Sequence, residues 1–138
     1  MFRVLYAEDD ANVAAVVRSY FTHFGAGIEL EIVPDGHTCL AQMAKGGYDV
    51  LLLDLVLPDI NGLQFIAAVQ KINPDIPVVM ITAYNMTFTD REMAAVPSLK
   101  AIVRKPFKWT ALAAELVKYW PDANPPKVIR SGAPFPAA

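Results

Sequence analysis

The chain has 138 residues, 54% hydrophobic and 19% charged, with 14 acidic against 12 basic side chains for a formal net charge of -2. That length suits one domain with a substantial core, and the near-neutral balance supplies no global basic field of the kind that draws a protein onto nucleic acid or anionic lipid. No apolar run approaches the roughly 18 residues that cross a bilayer, and the first segment, MFRVLYAEDD, meets acid too early for a signal peptide, so a soluble cytoplasmic protein without membrane or direct nucleic-acid contacts is expected.

The chain opens on a short aliphatic run, RVLYA (3–7), that reads as a strand. Val13, Val16, Val17, Tyr20, Phe21 and Phe24 then recur at the spacing of one apolar stripe on a helix. IELEIV (28–33) is strand-like again, but Glu29 and Glu31 alternate with its apolar residues; one face is therefore wet and the strand belongs at a sheet edge. A helix over 36–46, the strand DVLLLDL (49–55), a helix over 62–73, the strand IPVVMIT (76–82) and a helix over 87–96 follow. The series closes with the strand KAIVR (100–104) and a helix carrying Trp109, Leu112, Ala113, Leu116, Val117 and Trp120 at helical spacing. Such alternation predicts a parallel sheet covered on both faces. From Pro121 the periodicity ends and proline accumulates, so residues 1–120 read as the folding unit and 121–138 as a Pro-rich tail or linker. Cys39 reads as a small buried hydrophobe, and His23 and His37 offer no Cys/His metal spacing.

Ligands of an open parallel sheet sit beyond the carboxyl ends of its strands. The first strand runs into Glu8, Asp9 and Asp10, the third ends at Asp54 inside the apolar string VLLLDLVLP, the fourth at Thr82, and the fifth runs into Lys105 and Pro106. An aspartate in such a string is costly unless partnered. Glu8 and Asp9 beside Asp54 would gather like charges that call for a cation, and an all-oxygen set favours Mg²⁺ over zinc. With Thr82 and Lys105 on the oxygens of a phosphoryl group and Asp54 as the in-line nucleophile, the constellation suits formation of an aspartyl phosphate.

Taken in order, the acidic pair in YAEDDANV, the acceptor motif DLVLPDINGLQ with Asp54, Pro58 and Gly62, ITAY with Thr82 and Ala83, and KPF with Lys105, Pro106 and Phe107 make the chain resemble a response regulator receiver domain of two-component signalling, over residues 1 to 120. The resemblance implies a flavodoxin-like α/β fold: a doubly wound, five-stranded parallel sheet in the order 2-1-3-4-5 with five helices. It further implies phosphoryl transfer from a histidine kinase or histidine phosphotransfer protein onto Asp54, as in a single-domain chemotaxis-type or phosphorelay regulator. Mg²⁺ would be held by Asp9, Asp54 and the backbone carbonyl of Val56, with Glu8 reaching the metal mainly through water; Asp9 is taken as the inward acid because Val13, four residues on, fits the first core position of the next helix. Such a domain supports its own phosphorylation and dephosphorylation without being a metabolic enzyme. Its output is a two-state surface of the fourth helix, fifth strand and fifth helix, around Lys100, Ile102, Arg104 and Lys108, offered to a protein effector or a homodimer partner.

Ile102 stands where the family usually has an aromatic switch residue, which leaves Tyr84 or Phe88 to move in its place. Val56 and Tyr84, two residues past Asp54 and Thr82, are apolar and bulky, and are expected to hinder hydrolytic water and slow self-dephosphorylation. The second reading is a degenerate receiver serving as a phosphorylation-independent scaffold, which would normally have lost Asp54, the acidic pair or Lys105. An aspartyl hydrolase would want a DxD pattern after the first strand, and a flavin binder an anion-wrapping loop there; EDDAN offers neither.

Overall fold

The computed structural model describes residues 2–22, 27–54, 62–83, 87–105 and 109–120. In chain order they form β1 (Phe2–Ala7), α1 (Ala11–Thr22), β2 (Ile28–Val33), α2 (Gly36–Lys45), β3 (Val50–Asp54), α3 (Gly62–Ile72), β4 (Val78–Ala83), α4 (Asp90–Ala94), β5 (Leu99–Lys105) and α5 (Trp109–Val117). Helical crossovers allow each strand to return in the same direction, and every pairing is parallel in the order β2-β1-β3-β4-β5. This is the doubly wound, flavodoxin-like sheet expected from the alternating pattern and the motifs.

Strand β3 shows why the sheet is covered twice. Its side chains alternate between faces: Leu51 and Leu53 join Cys39 and Met43 of α2 and Phe65, Ile66 and Val69 of α3, whereas Val50 and Leu52 join Val17, Tyr20 and Phe21 of α1 and Leu112, Ala113 and Leu116 of α5. Each such side chain contributes about 1.5–3 kcal/mol when fully buried, so a run of four on the central strand ties both helical layers to it. At the edge, Ile28, Leu30 and Ile32 of β2 pack on the α1/α5 cluster while Glu29 stays exposed, as its alternation requires. Among the described residues no helix is long and apolar enough to cross a membrane.

Three local readings shift. Val16 is 53% exposed although it shares the apolar spacing of α1. At about 100° per residue it lies on the flank of the stripe centred on Val13, Val17 and Tyr20, turned away from Phe21. Helix α4 is shorter than 87–96 because Thr89 and Glu92 form a capping box that sets its start, and Pro97 disfavours helical geometry at Val96. Strand β4 begins at Val78 because Pro77 has no N–H for the ladder; its carbonyl accepts from the Leu51 N–H. Phe24, the Trp109 side chain and the tail from Pro121 lie outside the described residues.

At the amino edge of the sheet Arg3 organises the approach to β3. Its backbone N–H donates to Asp49 Oδ2 at 2.8 Å, its guanidinium lies 4.5 Å from the centroid of the Tyr48 ring, and Glu29 stands 3.8 Å away. Gly47 adopts φ +90° beneath that guanidinium, and a Cβ there would collide with Arg3 Nη1. Gly46 also has positive φ, +77°, but open space around it. Gly47→Ala is therefore expected to cost about 1–3 kcal/mol and Gly46→Ala less, read as the difference between their urea-unfolding midpoints.

Candidate functional site

Parallel order brings the carboxyl ends of the strands to one edge. Ala7 of β1 lies opposite Leu53 of β3, so Glu8 follows beside Asp54; Asp54 lies opposite Ile81, one residue before Thr82, and Ala83 lies opposite Lys105. Chain order reverses between β1 and β3, and a crevice opens at such a point. Alternation puts Glu8 on the face of Val4 and Tyr6, and Asp54 on the face of Val50 and Leu52, which is the same α1/α5 face.

Here the structure gathers an acidic cluster. One carboxylate oxygen from each of Glu8, Asp9 and Asp54 lies within 4.8 Å of the other two. Glu8 is 3% exposed and Asp54 6%, while Asp9 stands at the solvent rim. Glu8 and Asp9 also border a cleft of about 370 Å³ beside Ala11, Ala14, Arg18 and Pro34, so the cluster is reachable from solvent. Glu8 is the more deeply buried acid, because it continues the inward alternation of β1 through Tyr6, while Asp9, taken from the sequence as the inward acid, brings its carboxylate to the same cluster from the solvent rim. Asp10 belongs to α1: its Oδ1 accepts from the N–H groups of Asn12 at 2.8 Å and Val13 at 3.2 Å, as a helix-capping aspartate does.

Glu8 is held from two sides. Its Oε2 accepts from the Tyr6 hydroxyl at 2.8 Å and its Oε1 from the Asp10 N–H at 3.1 Å. Burial first, and then the neighbouring Asp54, push its carboxyl up to about 7, against the opposing pull of the Tyr6 and Asp10 donors. Burial and the neighbouring Glu8 drive the Tyr6 phenol far above its usual range, so it stays a donor. Tyr6 is a residue that the sequence reading left unremarked inside the strand RVLYA; the available signal was a hydroxyl two residues before Glu8, on the same face.

Thr82 completes the described part of the site. It is 1% exposed, and its Oγ1 has no hydrogen-bond partner among the described residues. A buried hydroxyl left unpaired is costly, and this one sits one register step beyond Asp54 on the neighbouring strand. Ile102 is partly buried against the α2/α3 cluster, as are Phe88 and Met93. The Val56 carbonyl, Tyr84, Pro106, Phe107 and Lys108 lie outside the described residues, and of Lys105 the strand register is described.

The donor set fits a hard divalent cation. It consists of carboxylate oxygens with no thiolate or imidazole, the chemistry suited to Mg²⁺. Because Glu8 binds its proton more tightly folded than unfolded, its contribution to stability is fully present below about 4.5 and is lost as pH rises through about 7. In metal-free buffer the urea midpoint is expected to fall over that window more steeply for the wild type than for Glu8→Gln. Thr82→Val, which removes the unpaired hydroxyl, is expected to leave stability unchanged or raise it by up to about 1 kcal/mol in the same assay; a loss of that size would mean the hydroxyl is already satisfied.

The family profile described as the response regulator receiver domain matches residues 4–117. The luminescence regulatory protein LuxO of Vibrio campbellii is 42% identical over 77 residues, covering 56% of this chain and 17% of LuxO. The response regulator ArlR of Staphylococcus saprophyticus is 33% identical over 88 residues, covering 64% of this chain and 39% of ArlR. The chain thus spans well under half the length of these curated relatives. Among solved structures, the response regulator TrrA of Thermotoga maritima, crystallised in complex with Mg²⁺-BeF, superposes with a TM-score of 0.75 at 25% identity, covering 86% of this chain and 99% of that one. The chemotaxis protein CheY4 of Vibrio cholerae gives 0.74 at 27% identity, covering 86% and 98%.

Proposed function

This chain belongs to the response regulator receiver domain family, and we propose that it accepts a phosphoryl group on Asp54 from a phosphohistidine donor and relays the change to a protein partner. The observation that carries this reading is the pairing of a buried acceptor carboxylate with a buried hydroxyl on the next strand that has no hydrogen-bond partner among the described residues. Neither group helps the core as it stands. Both acquire a purpose once a phosphoryl group occupies the crevice between them.

In the transfer, an Asp54 carboxylate oxygen attacks the phosphorus of the donor phosphohistidine; the new O–P bond forms as the N–P bond breaks, and the imidazole leaves with the bonding pair. Thr82 Oγ1–H donates to a phosphoryl oxygen as charge builds there. Lys105, the residue opposite Ala83 in the strand register, serves as the fixed counter-charge. Glu8, Asp9 and Asp54, with the backbone carbonyl of Val56, are the groups that would hold Mg²⁺, which when bound supplies charge neutralisation for the incoming phosphoryl group.

Phosphorylation replaces one carboxylate charge by about two and gives Thr82 an acceptor. That draws the end of β4 inward and biases the surface formed by α4, β5 and α5, where Lys100 and Arg104 are exposed and Ile102 lies half-buried. The donor is a histidine kinase or histidine phosphotransfer protein, and the readout is a protein effector or a second copy of the domain. Residues 1–120 form the signalling unit and 121–138 a tail or linker. TrrA, crystallised with Mg²⁺-BeF, supports the same ligand chemistry for the acidic end of this sheet.

Incubation with acetyl phosphate, with and without MgCl₂, followed by intact-protein mass measurement is expected to add one phosphoryl group to the wild type only with Mg²⁺, and none to Asp54→Asn. Thr82→Val is expected to react at least about tenfold more slowly, since a transition-state donor has been removed. A folded wild type that gains no mass would overturn the phosphoacceptor assignment.

A further inference from the structure

Tyr6 is fully buried on the α1/α5 face of β1, in the cluster that holds Val4, Leu52 and Ile81. Phenylalanine would fill the same space. The phenolic oxygen adds nothing to that packing, and a hydroxyl in such surroundings is tolerated only with an acceptor. Its acceptor is Glu8 Oε2 at 2.8 Å.

The consequence lies with Glu8. A glutamate has one more rotatable bond than an aspartate, so a carboxylate on it is harder to hold in one place. The Asp10 N–H anchors Oε1 from the outer side, at the start of α1, and the Tyr6 hydroxyl anchors Oε2 from within the sheet. Two donors on two oxygens fix both the position and the plane of the carboxylate. With the backbone contact alone, Glu8 could rotate about Oε1 and leave its place next to Asp54.

We propose that Tyr6 is a positioning residue of the acidic site, its hydroxyl holding Glu8 beside Asp54 so that the cluster is preorganised for a divalent cation. This rests on the Mg²⁺ reading of Glu8, Asp9 and Asp54. Tyr6 itself touches neither the metal nor the phosphoryl group; it acts through Glu8, as the outer partners of metal ligands do.

Calorimetric titration of the full chain with MgCl₂, with no phosphodonor present, tests it. Wild type, Tyr6→Phe, Glu8→Asp, the double variant and Asp54→Asn are compared, with far-UV circular dichroism to confirm the fold. Tyr6→Phe is expected to weaken Mg²⁺ binding about tenfold. Aspartate at position 8 keeps a carboxylate but falls a methylene short of the phenol, so in the Glu8→Asp background the same Tyr6→Phe change is expected to alter affinity less than about twofold, the signature of two residues acting as one unit. Equal weakening in both backgrounds would mean that the hydroxyl acts on the sheet at large, and the proposal falls. Unchanged affinity in Tyr6→Phe, with binding weakened in Asp54→Asn, would also overturn the role of Tyr6 while leaving the Mg²⁺ reading standing. A wild type that binds no Mg²⁺, or an Asp54→Asn that binds as the wild type does, would remove the Mg²⁺ reading itself and this inference with it.

Discussion

Two carboxylates buried side by side at the end of an apolar sheet are the constraint around which this molecule is arranged. Ionised together at the separation within the cluster, Glu8 and Asp54 would repel by about 3 to 4 kcal/mol at an effective dielectric near 20, before any cost of leaving water. Nothing in the core gains from that arrangement. The fold sustains it by supplying compensations from the surrounding elements: the Tyr6 hydroxyl from β1 and the Asp10 N–H from the start of α1. Each compensation is partial.

The apolar bulk of the domain makes the cost bearable. β3 is buried along its length and serves both helical layers, so its last residue is delivered to the crevice by the most rigid element present. β1 and β4 flank it in fixed register, carrying Glu8 and Thr82 to the same edge. Alternation then sorts the polar groups by face. Glu8 and Asp54 share the α1/α5 side, while Thr82 has the parity of Val78 and Met80 on the α2/α3 side, so the crevice is approached from both layers.

Much of this was legible residue by residue. The strands were readable because each is a short aliphatic run between helical stripes, and β2 declared itself an edge through Glu29 and Glu31. Asp54 was conspicuous because a carboxylate interrupts VLLLDLVLP. The errors came where neighbours rather than periodicity decide. Val16 obeys the helical spacing yet sits exposed on the flank of its stripe, a position set by the neighbours of α1. Tyr6 was legible only as part of the strand RVLYA, while the use of its hydroxyl depends on a contact invisible to pattern.

What the sequence determined alone is the alternation of strand and helix, the parallel sheet it requires, and the chemical identity of the groups at the strand ends, because these follow from the spacing of apolar residues and from where charge breaks it. Only the tertiary structure decided which acid is buried, which caps α1, and which hydroxyl is held against Glu8. Those outcomes depend on register and on the desolvation of groups drawn from separate strands, and a carboxylate's environment is set by the neighbours that folding brings to it across the sheet.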